Sequence, residues 1–316
     1  MKVTHLAYPL DSGDLSDLAR DQAMAIGDFD GVHLGHRQVI GTAVQIARRE
    51  GCSASVMTFH PHPREVLGSP VYSTYITPLE EKLKRFAALD IDSVYVVHFD
   101  LALAALSPAS FVDEVLVSLR VSTAVVGFNF TFGHRGIGTA ATLKELSVGR
   151  YGVEVVQPVH ESGERVSSTL IREALSLGDV SRASTLLGRP YSIAGSVIRG
   201  EGRGRTIGIP TANIEPDAAY VVPAKGVYAV RVTVDGREGS PLDGVMNVGF
   251  KPTFHVSLSQ PTWEVHLFDI NEDLYGRRLT VEFITRLRSE RKFDSIDALV
   301  RQIHEDIELA RKQLKT

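Results

Sequence analysis

The sequence predicts an α/β module with a doubly wound parallel sheet, followed by a small antiparallel β-barrel that ends in a helix. Three observations carry this expectation. Up to about Leu187, short β-branched runs alternate with amphipathic helical patterns, the rhythm of a parallel sheet with crossover helices. After Gly188-Arg189-Pro190, strand patterns follow one another between Gly/Pro turns without helices, as in small barrels. The 316 residues also exceed the length of roughly 250–300 at which a single core stops growing, so two cores are expected, residues 1–187 and 188–316.

In the first module, Ala23–Ile26, Ala54–Phe59, Val94–Phe99, Ala124–Gly127 and Val153–Val156 read as buried strands. Arg37–Glu50, Leu79–Leu89, Pro108–Leu119 and Thr139–Leu146 read as the helices between them. In the second, Ser192–Ile198, Val227–Val234, Val245–Val248, Trp263–Phe268 and Leu279–Phe283 read as strands, and Ser295 to about Gln313 as a closing amphipathic helix. Trp263 is expected in the core.

The balance of 34 Lys+Arg against 38 Asp+Glu gives a formal charge of −4, without the basic excess of a phosphate-backbone binder, so no nucleic-acid partner is expected. No stretch approaches the roughly 20 apolar residues of a membrane span, and the first residues lack a basic-then-apolar leader. A cytoplasmic protein, monomer or weak homo-oligomer, is expected. Cys52 is the single cysteine, which excludes intrachain disulfides and thiolate metal clusters. His98, His160 and His304 have no partners at metal-ligand spacing and read as packing or surface residues.

Parallel sheets bind ligands beyond the carboxyl ends of their strands, so the residues that directly follow each strand are candidates. Ile26-Gly27-Asp28-Phe29-Asp30-Gly31-Val32-His33-Leu34-Gly35-His36 passes from a strand through a Gly-rich turn to a helix start, where free N–H groups and the dipole favour phosphate. His33 and His36 can face that site and stabilise charge at phosphorus, or stand as two surface histidines on a turn. Ser167, Ser168 and Thr169 stand at another helix start, with Arg172 one turn inside; they suit capping, phosphate binding, or both. Phe128, Phe130 and Phe132 around Asn129 suit a flat heterocycle or plain packing.

In the second module, Arg199 to Gly208 carries glycines interleaved with arginines, fit for wrapping phosphates or for a mobile turn. It runs into Ile209-Pro210-Thr211-Ala212-Asn213, where a hydroxyl and an amide oxygen lie on one side of an extended chain, hard ligands suited to Mg²⁺. Glu264 alternates with apolar neighbours, which suits a solvated face or a general base.

The motif Gly27-x-Phe29-Asp30-Gly31-x-His33-x-Gly35-His36 resembles the signature of nucleotidylyltransferases, in its fullest form that of the bacterial bifunctional riboflavin kinase/FAD synthetase family. Thr58-Phe59-His60-Pro61-His62-Pro63, Val126 to Gly133 and Arg165 to Arg172 resemble further elements of that family's N-terminal module. Gly208-Ile209-Pro210-Thr211-Ala212-Asn213, Gly226-Val227-Tyr228, Asn247 to Phe254, Trp263 to Asp269, Leu274-Tyr275-Gly276 and Leu287 to Phe293 resemble its riboflavin kinase module.

The resemblance implies a Rossmann-like nucleotidylyltransferase domain and a riboflavin kinase-like barrel. It also implies ATP-dependent phosphorylation of riboflavin to FMN, then adenylylation of FMN to FAD with release of pyrophosphate, with Mg²⁺ as cofactor and small molecules as the only partners. His33 and His36 would stabilise the transferred nucleotidyl group. Gly27, Asp28, Phe29, Gly31, Gly35, Ser168, Thr169 and Arg172 would bind that ATP, and His62, Asn129, Phe130 and Arg165 the flavin. In the barrel, Gly202, Gly204, Thr211 and Asn213 would bind ATP, the last two also Mg²⁺, while Glu264 would be the base and Arg288 and Phe293 would lie beside the flavin or serve in the linker to the closing helix. Two residues depart from the pattern: His60 replaces a usual acid and reverses charge if protonated, and Asn129 replaces a frequent Asp. They leave room for a kinase with a weak or inactive transferase module. A flavin-binding carrier is the rival outside enzymes, and an intact base at Glu264 argues against it.

Overall fold

The computed structural model describes residues 1–11, 13, 21–200, 204, 207–251, 260–270 and 272–315; Gly202 lies outside them. The chain divides into two compact units, Met1–Ser167 and Ser168–Thr316.

In the first unit the strands are β1 (Lys2–Leu6), β2 (Gln22–Ile26), β3 (Ser53–His60), β4 (Ser93–His98), β5 (Val121–Gly127), the short β6 (Thr131–Phe132) and β7 (Gly138–Thr139), β8 (Gly152–Val156), β9 (His160–Glu161) and β10 (Glu164–Arg165). The helices are α1 (Leu34–Glu50), α2 (Pro63–Val66), α3 (Leu79–Ala87), α4 (Leu101–Ala104), α5 (Pro108–Ser110, continued to Val117 by a wider π-type winding) and α6 (Ala140–Ser147). Six strands form one parallel sheet in the order β1-β4-β3-β2-β5-β8. The expected strands and helices are present within a few residues. The edge strand β1 has no counterpart in the sequence reading, because it buries little beyond Leu6.

Alternate residues of each strand enter opposite cores. Ala23, Ala25, Val56, Val94, Val96 and Val125 pack with α1 and Phe86 of α3, while Met24, Ile26, Met57, Val97, Ala124 and Val126 pack with Phe111, Val115 and Leu143 from the other side. Burial on both faces is why these strands read as continuous apolar runs rather than as alternation. From β2 the chain winds through β3 to β4 on one side, then returns to β5 on the other, so the carboxyl end of β2 is the topological switch point.

The second unit begins with α7 (Ser168–Leu177) and α8 (Val180–Leu187), which precede β11 (Tyr191–Ile198), β12 (Ala212–Pro216), β13 (Gly226–Val234), β14 (Leu242–Lys251), β15 (Gln260–Leu267), β16 (Arg278–Arg288) and α9 (Ile296–Leu314). The strands close an antiparallel barrel in the order β11-β12-β15-β14-β13-β16. Inside it, Phe283 meets the rings of Tyr191, Tyr228 and Trp263 at 5.8, 5.3 and 6.3 Å, which places Trp263 in the core as expected. On the outside, Val227, Ala229, Val245 and Phe268 receive Ala310 and Leu314 of α9.

The compact units part twenty residues before the sequence rhythm changes. The cause is α8, which buries Val180, Ala183, Leu186 and Leu187 and packs on β16 and β11, with α7 packed on α8 in turn.

Candidate functional site

The turn after β2 is shaped by backbone that ordinary side chains avoid. Phe29, Gly31 and Val32 have φ of +58°, +94° and +41°, and Phe29 and Val32 are nonetheless buried, so packing holds a conformation that costs of order 1–3 kcal/mol per residue. The turn delivers His33 to the N-cap of α1, where its Nδ1 accepts the His36 N–H at 3.2 Å. The two imidazoles stack, with centroids 3.5 Å apart and planes at 19°. A Cβ on Gly35 would lie 3.1 Å from His33 Cε1, so the glycine between the histidines is what lets the first ring fold over the helix start. Phe29 supports the pair edge-on, 5.3 Å from His36. Two rings thus stand at the N-terminus of a 17-residue helix, at the switch point, where its dipole attracts phosphate.

The structure also joins motifs that are separate in sequence. Asp28 Oδ2 accepts the Asp30 N–H at 3.0 Å and lies 3.5 Å from His62 Nε2, while His62 caps α2 by accepting the Arg64 N–H at 3.0 Å. Beneath them is Lys82 of α3, which belongs to none of the motifs named in the sequence. It is only 2% exposed, and its Nζ donates to the Asp28 carbonyl at 2.7 Å and to Thr58 Oγ1 at 3.2 Å. The available signal was its place in the first turns of α3, on the apolar stripe with Phe86. His60 ends β3 beside this cluster. Burial first, and Lys82 second, lower its pKa, so at neutral pH the imidazole is uncharged. The replacement of the family's acid therefore removes a charge without inverting it.

The aromatic stretch after β5 is split. Phe132 is buried and stacks on the half-buried Phe130 at 5.5 Å, both against the core, whereas Phe128 and Asn129 are exposed. Arg165 of β10 lies over the Phe128 ring at 5.4 Å, which brings two of the expected flavin-side stretches together. Ser168 and Thr169 open α7 as expected, and Arg172 is buried at 9% exposure. These three residues belong to the second compact unit.

In the barrel, Asn213 of β12 pairs directly with Glu264 of β15, and Glu264 with Asn247 of β14. Directly opposed residues of neighbouring strands share a face. Trp263 and Val265 point into the core, so this row lies on the outer face of the barrel. The barrel register, rather than its sequence motif, makes Asn247 the neighbour of Glu264. His266 Nδ1 is 2.8 Å from the Pro210 carbonyl, and since a carbonyl only accepts, that nitrogen carries the proton and ties Thr211's segment to the Glu264 strand. The glycines complete the site: a Cβ on Gly200 would fall 2.2 Å from Asn213 Nδ2, and one on Gly204 2.3 Å from the Ile209 carbonyl and 3.2 Å from Thr211 Oγ1. No cluster of three His, Cys, Asp or Glu suited to a metal occurs among the described residues. A hydroxyl, an amide oxygen and a close glycine cradle fit a magnesium ion that takes its other ligands from phosphates and water.

Arg288 is engaged elsewhere than at an open face. Its guanidinium pairs with Asp306 of α9, and it lies 5.7 Å from the Phe293 ring.

Comparison with known proteins places both halves. A family model described as FAD synthetase matches residues 15–170, and one described as riboflavin kinase matches residues 187–314. The chain is 46% identical over 308 residues to the bifunctional riboflavin kinase/FMN adenylyltransferase of Bacillus subtilis, covering 97% of this chain and 96% of that one. It is 40% identical over 292 residues to the protein of the same name from Escherichia coli K12, covering 92% and 91%. A crystal structure titled as a macrolide-efflux protein from Streptococcus pneumoniae superposes with a TM-score of 0.86 at 32% identity, covering 97% and 98%. In the present chain no helix among the described residues is long and apolar enough to cross a membrane.

Proposed function

The chain belongs to the bifunctional riboflavin kinase/FMN adenylyltransferase family, and from that premise we propose which residues carry each of its two reactions. The enzyme phosphorylates riboflavin to FMN with ATP, then transfers an adenylyl group from a second ATP to FMN, giving FAD and pyrophosphate.

The kinase reaction belongs to the outer face of the barrel, residues 188–316. Glu264 takes the proton of the ribityl 5′-hydroxyl as that oxygen attacks the γ-phosphorus of ATP and the bond to the β-phosphate oxygen breaks. Thr211 and Asn213 would hold Mg²⁺, which when bound neutralises charge on the β- and γ-phosphates. Gly202 and Gly204 let the loop approach those phosphates. Phe293 lies beside the flavin, and Arg288, held by Asp306, keeps its segment in place.

Adenylyl transfer belongs to residues 1–187. A phosphate oxygen of FMN attacks the α-phosphorus while the bond to the β-phosphate breaks, and the protein supplies position and charge rather than a nucleophile. His33 and His36, with the N–H groups of α1 behind them, stabilise the reacting phosphate. Gly27, Asp28, Phe29, Gly31 and Gly35 shape that turn, and Ser168, Thr169 and Arg172 contribute a second anion-binding helix start. His62, Asn129, Phe130 and Arg165 bind the flavin. The protein works in the cytoplasm on small molecules, as a monomer or weak oligomer, without nucleic acid or membrane.

The observation that carries this reading is the direct cross-strand pairing of Asn213 with Glu264, which sets an expected metal ligand beside the expected base. Its test is incubation of the purified protein with riboflavin, ATP and Mg²⁺, and separately with FMN, ATP and Mg²⁺, with flavins resolved by chromatography. FMN followed by FAD is the expected result. FMN that never proceeds to FAD supports the second reading, a kinase with a silent transferase module, which His60 and Asn129 favour. No product from riboflavin overturns both.

A further inference from the structure

Lys82 is a buried cation that neither half-reaction has used. Its Nζ spans the ends of two strands: it donates to the carbonyl of Asp28, just past β2, and to the hydroxyl of Thr58, near the end of β3. Thr58 Oγ1 in turn donates to the same Asp28 carbonyl at 2.7 Å, so the three groups close a small ring of hydrogen bonds. The Asp28 carboxylate lies next to it, with Oδ1 4.0 Å from Nζ; that oxygen is buried and accepts no hydrogen bond from the described residues. Removing an ammonium from water is costly, and a sequence needing only helix packing would place an apolar residue here.

We propose that Lys82 is a positioning residue for adenylyl transfer, whose ammonium locks the Asp28 carbonyl to Thr58 and balances the Asp28 carboxylate at the mouth of the phosphate site. Two consequences follow from its place. The turn from Asp28 to His33 starts from a fixed point, so the strained backbone at Phe29 and Val32 delivers the stacked imidazoles to one position. The carboxylate next to an incoming polyphosphate is offset by a cation, so it does not repel the substrate. The neighbouring His60, which also faces Glu65 and His98, adds no positive charge of its own at neutral pH.

The proposal rests on the assignment of FAD synthesis to the His33/His36 site, and its test separates the two. FAD formation from FMN and MgATP is measured on the full chain for Lys82→Met, Lys82→Arg and His36→Ala, with urea unfolding as the control for folding. Lys82→Met is expected to lower kcat for FAD by about 10²-fold, the cost of a displacement near 1 Å, and to raise KM for ATP. Lys82→Arg restores much of the rate because it keeps the charge and donors. Thr58→Val, which removes one acceptor and leaves the cation, is expected to lower kcat by a smaller factor, and serves if Lys82→Met does not fold. Wild-type FAD kinetics in Lys82→Met or Thr58→Val, or equal loss in Met and Arg variants, overturns the role of Lys82. Retained FAD synthesis in His36→Ala instead overturns the site assignment itself.

Discussion

Arg288 of β16 and Asp306 of α9 form a two-pronged ion pair, Nε to Oδ1 at 2.9 Å and Nη2 to Oδ2 at 2.7 Å, in which Asp306 is only 4% exposed. Gln302 donates to Oδ1 at 2.8 Å and completes the carboxylate's partners. Paired carboxylate and guanidinium fasten the closing helix to the outer face of the barrel, along the register that runs from Glu264 through Asn247 and Val227 to Arg288.

Removing one partner strands the other. Arg288→Met and Asp306→Leu are each expected to cost about 3 kcal/mol of stability in urea unfolding of the full chain. A change in riboflavin KM for Arg288→Met with stability intact would assign the arginine to flavin contact instead.

Glu264→Gln keeps the shape of the base and removes its basicity. FMN formation should fall by about 10²–10⁴-fold while FAD formation from supplied FMN is unchanged. His36→Ala should do the reverse. His33→Ala should add a loss of about 1 kcal/mol in stability, because His33 also caps α1. Single-substrate assays on each variant decide this, and loss of both activities in Glu264→Gln would contradict independent sites.

His60 makes a pH-dependent contribution. Its folded pKa lies below the ordinary imidazole value of 6.5, so between the two values the unfolded chain binds more protons than the native one. Stability is therefore complete above that ordinary value and falls as pH drops through the window below it. Urea midpoints over roughly pH 5 to 8 should show a shallower acid limb in His60→Gln than in the wild type.

Gly204 approaches its neighbours too closely for a side chain. Gly204→Ala places a methyl group 2.3 Å from the Ile209 carbonyl, which must displace the segment carrying Thr211. We expect riboflavin kinase kcat/KM for ATP to fall by about tenfold or more, with FAD synthesis from FMN untouched, as initial-rate measurements on the two substrates will show.

Much of this molecule was written in local patterns. Short apolar runs between amphipathic helical patterns located the parallel strands, because strands buried on both faces need apolar residues at every position, as Ala23–Ile26 does. The His33-x-Gly35-His36 spacing and the Thr211-x-Asn213 alternation located the candidate sites, because caps and strand faces are set by residues two or three apart. What the sequence could not show was set by long-range packing. No local motif marks Lys82; its role comes from α3, which folds its Nζ under β2 and β3. Arg288 suited either a flavin-side segment or a helix linker until α9 brought up Asp306, and Asn247 became the neighbour of Glu264 only through barrel register. Helices α7 and α8 joined the second unit because α8 found its apolar partner on β16 and β11. Local pattern determined which elements form and where chemistry can sit; only the tertiary fold, by burying charges and fixing register between distant strands, decided which side chains meet there.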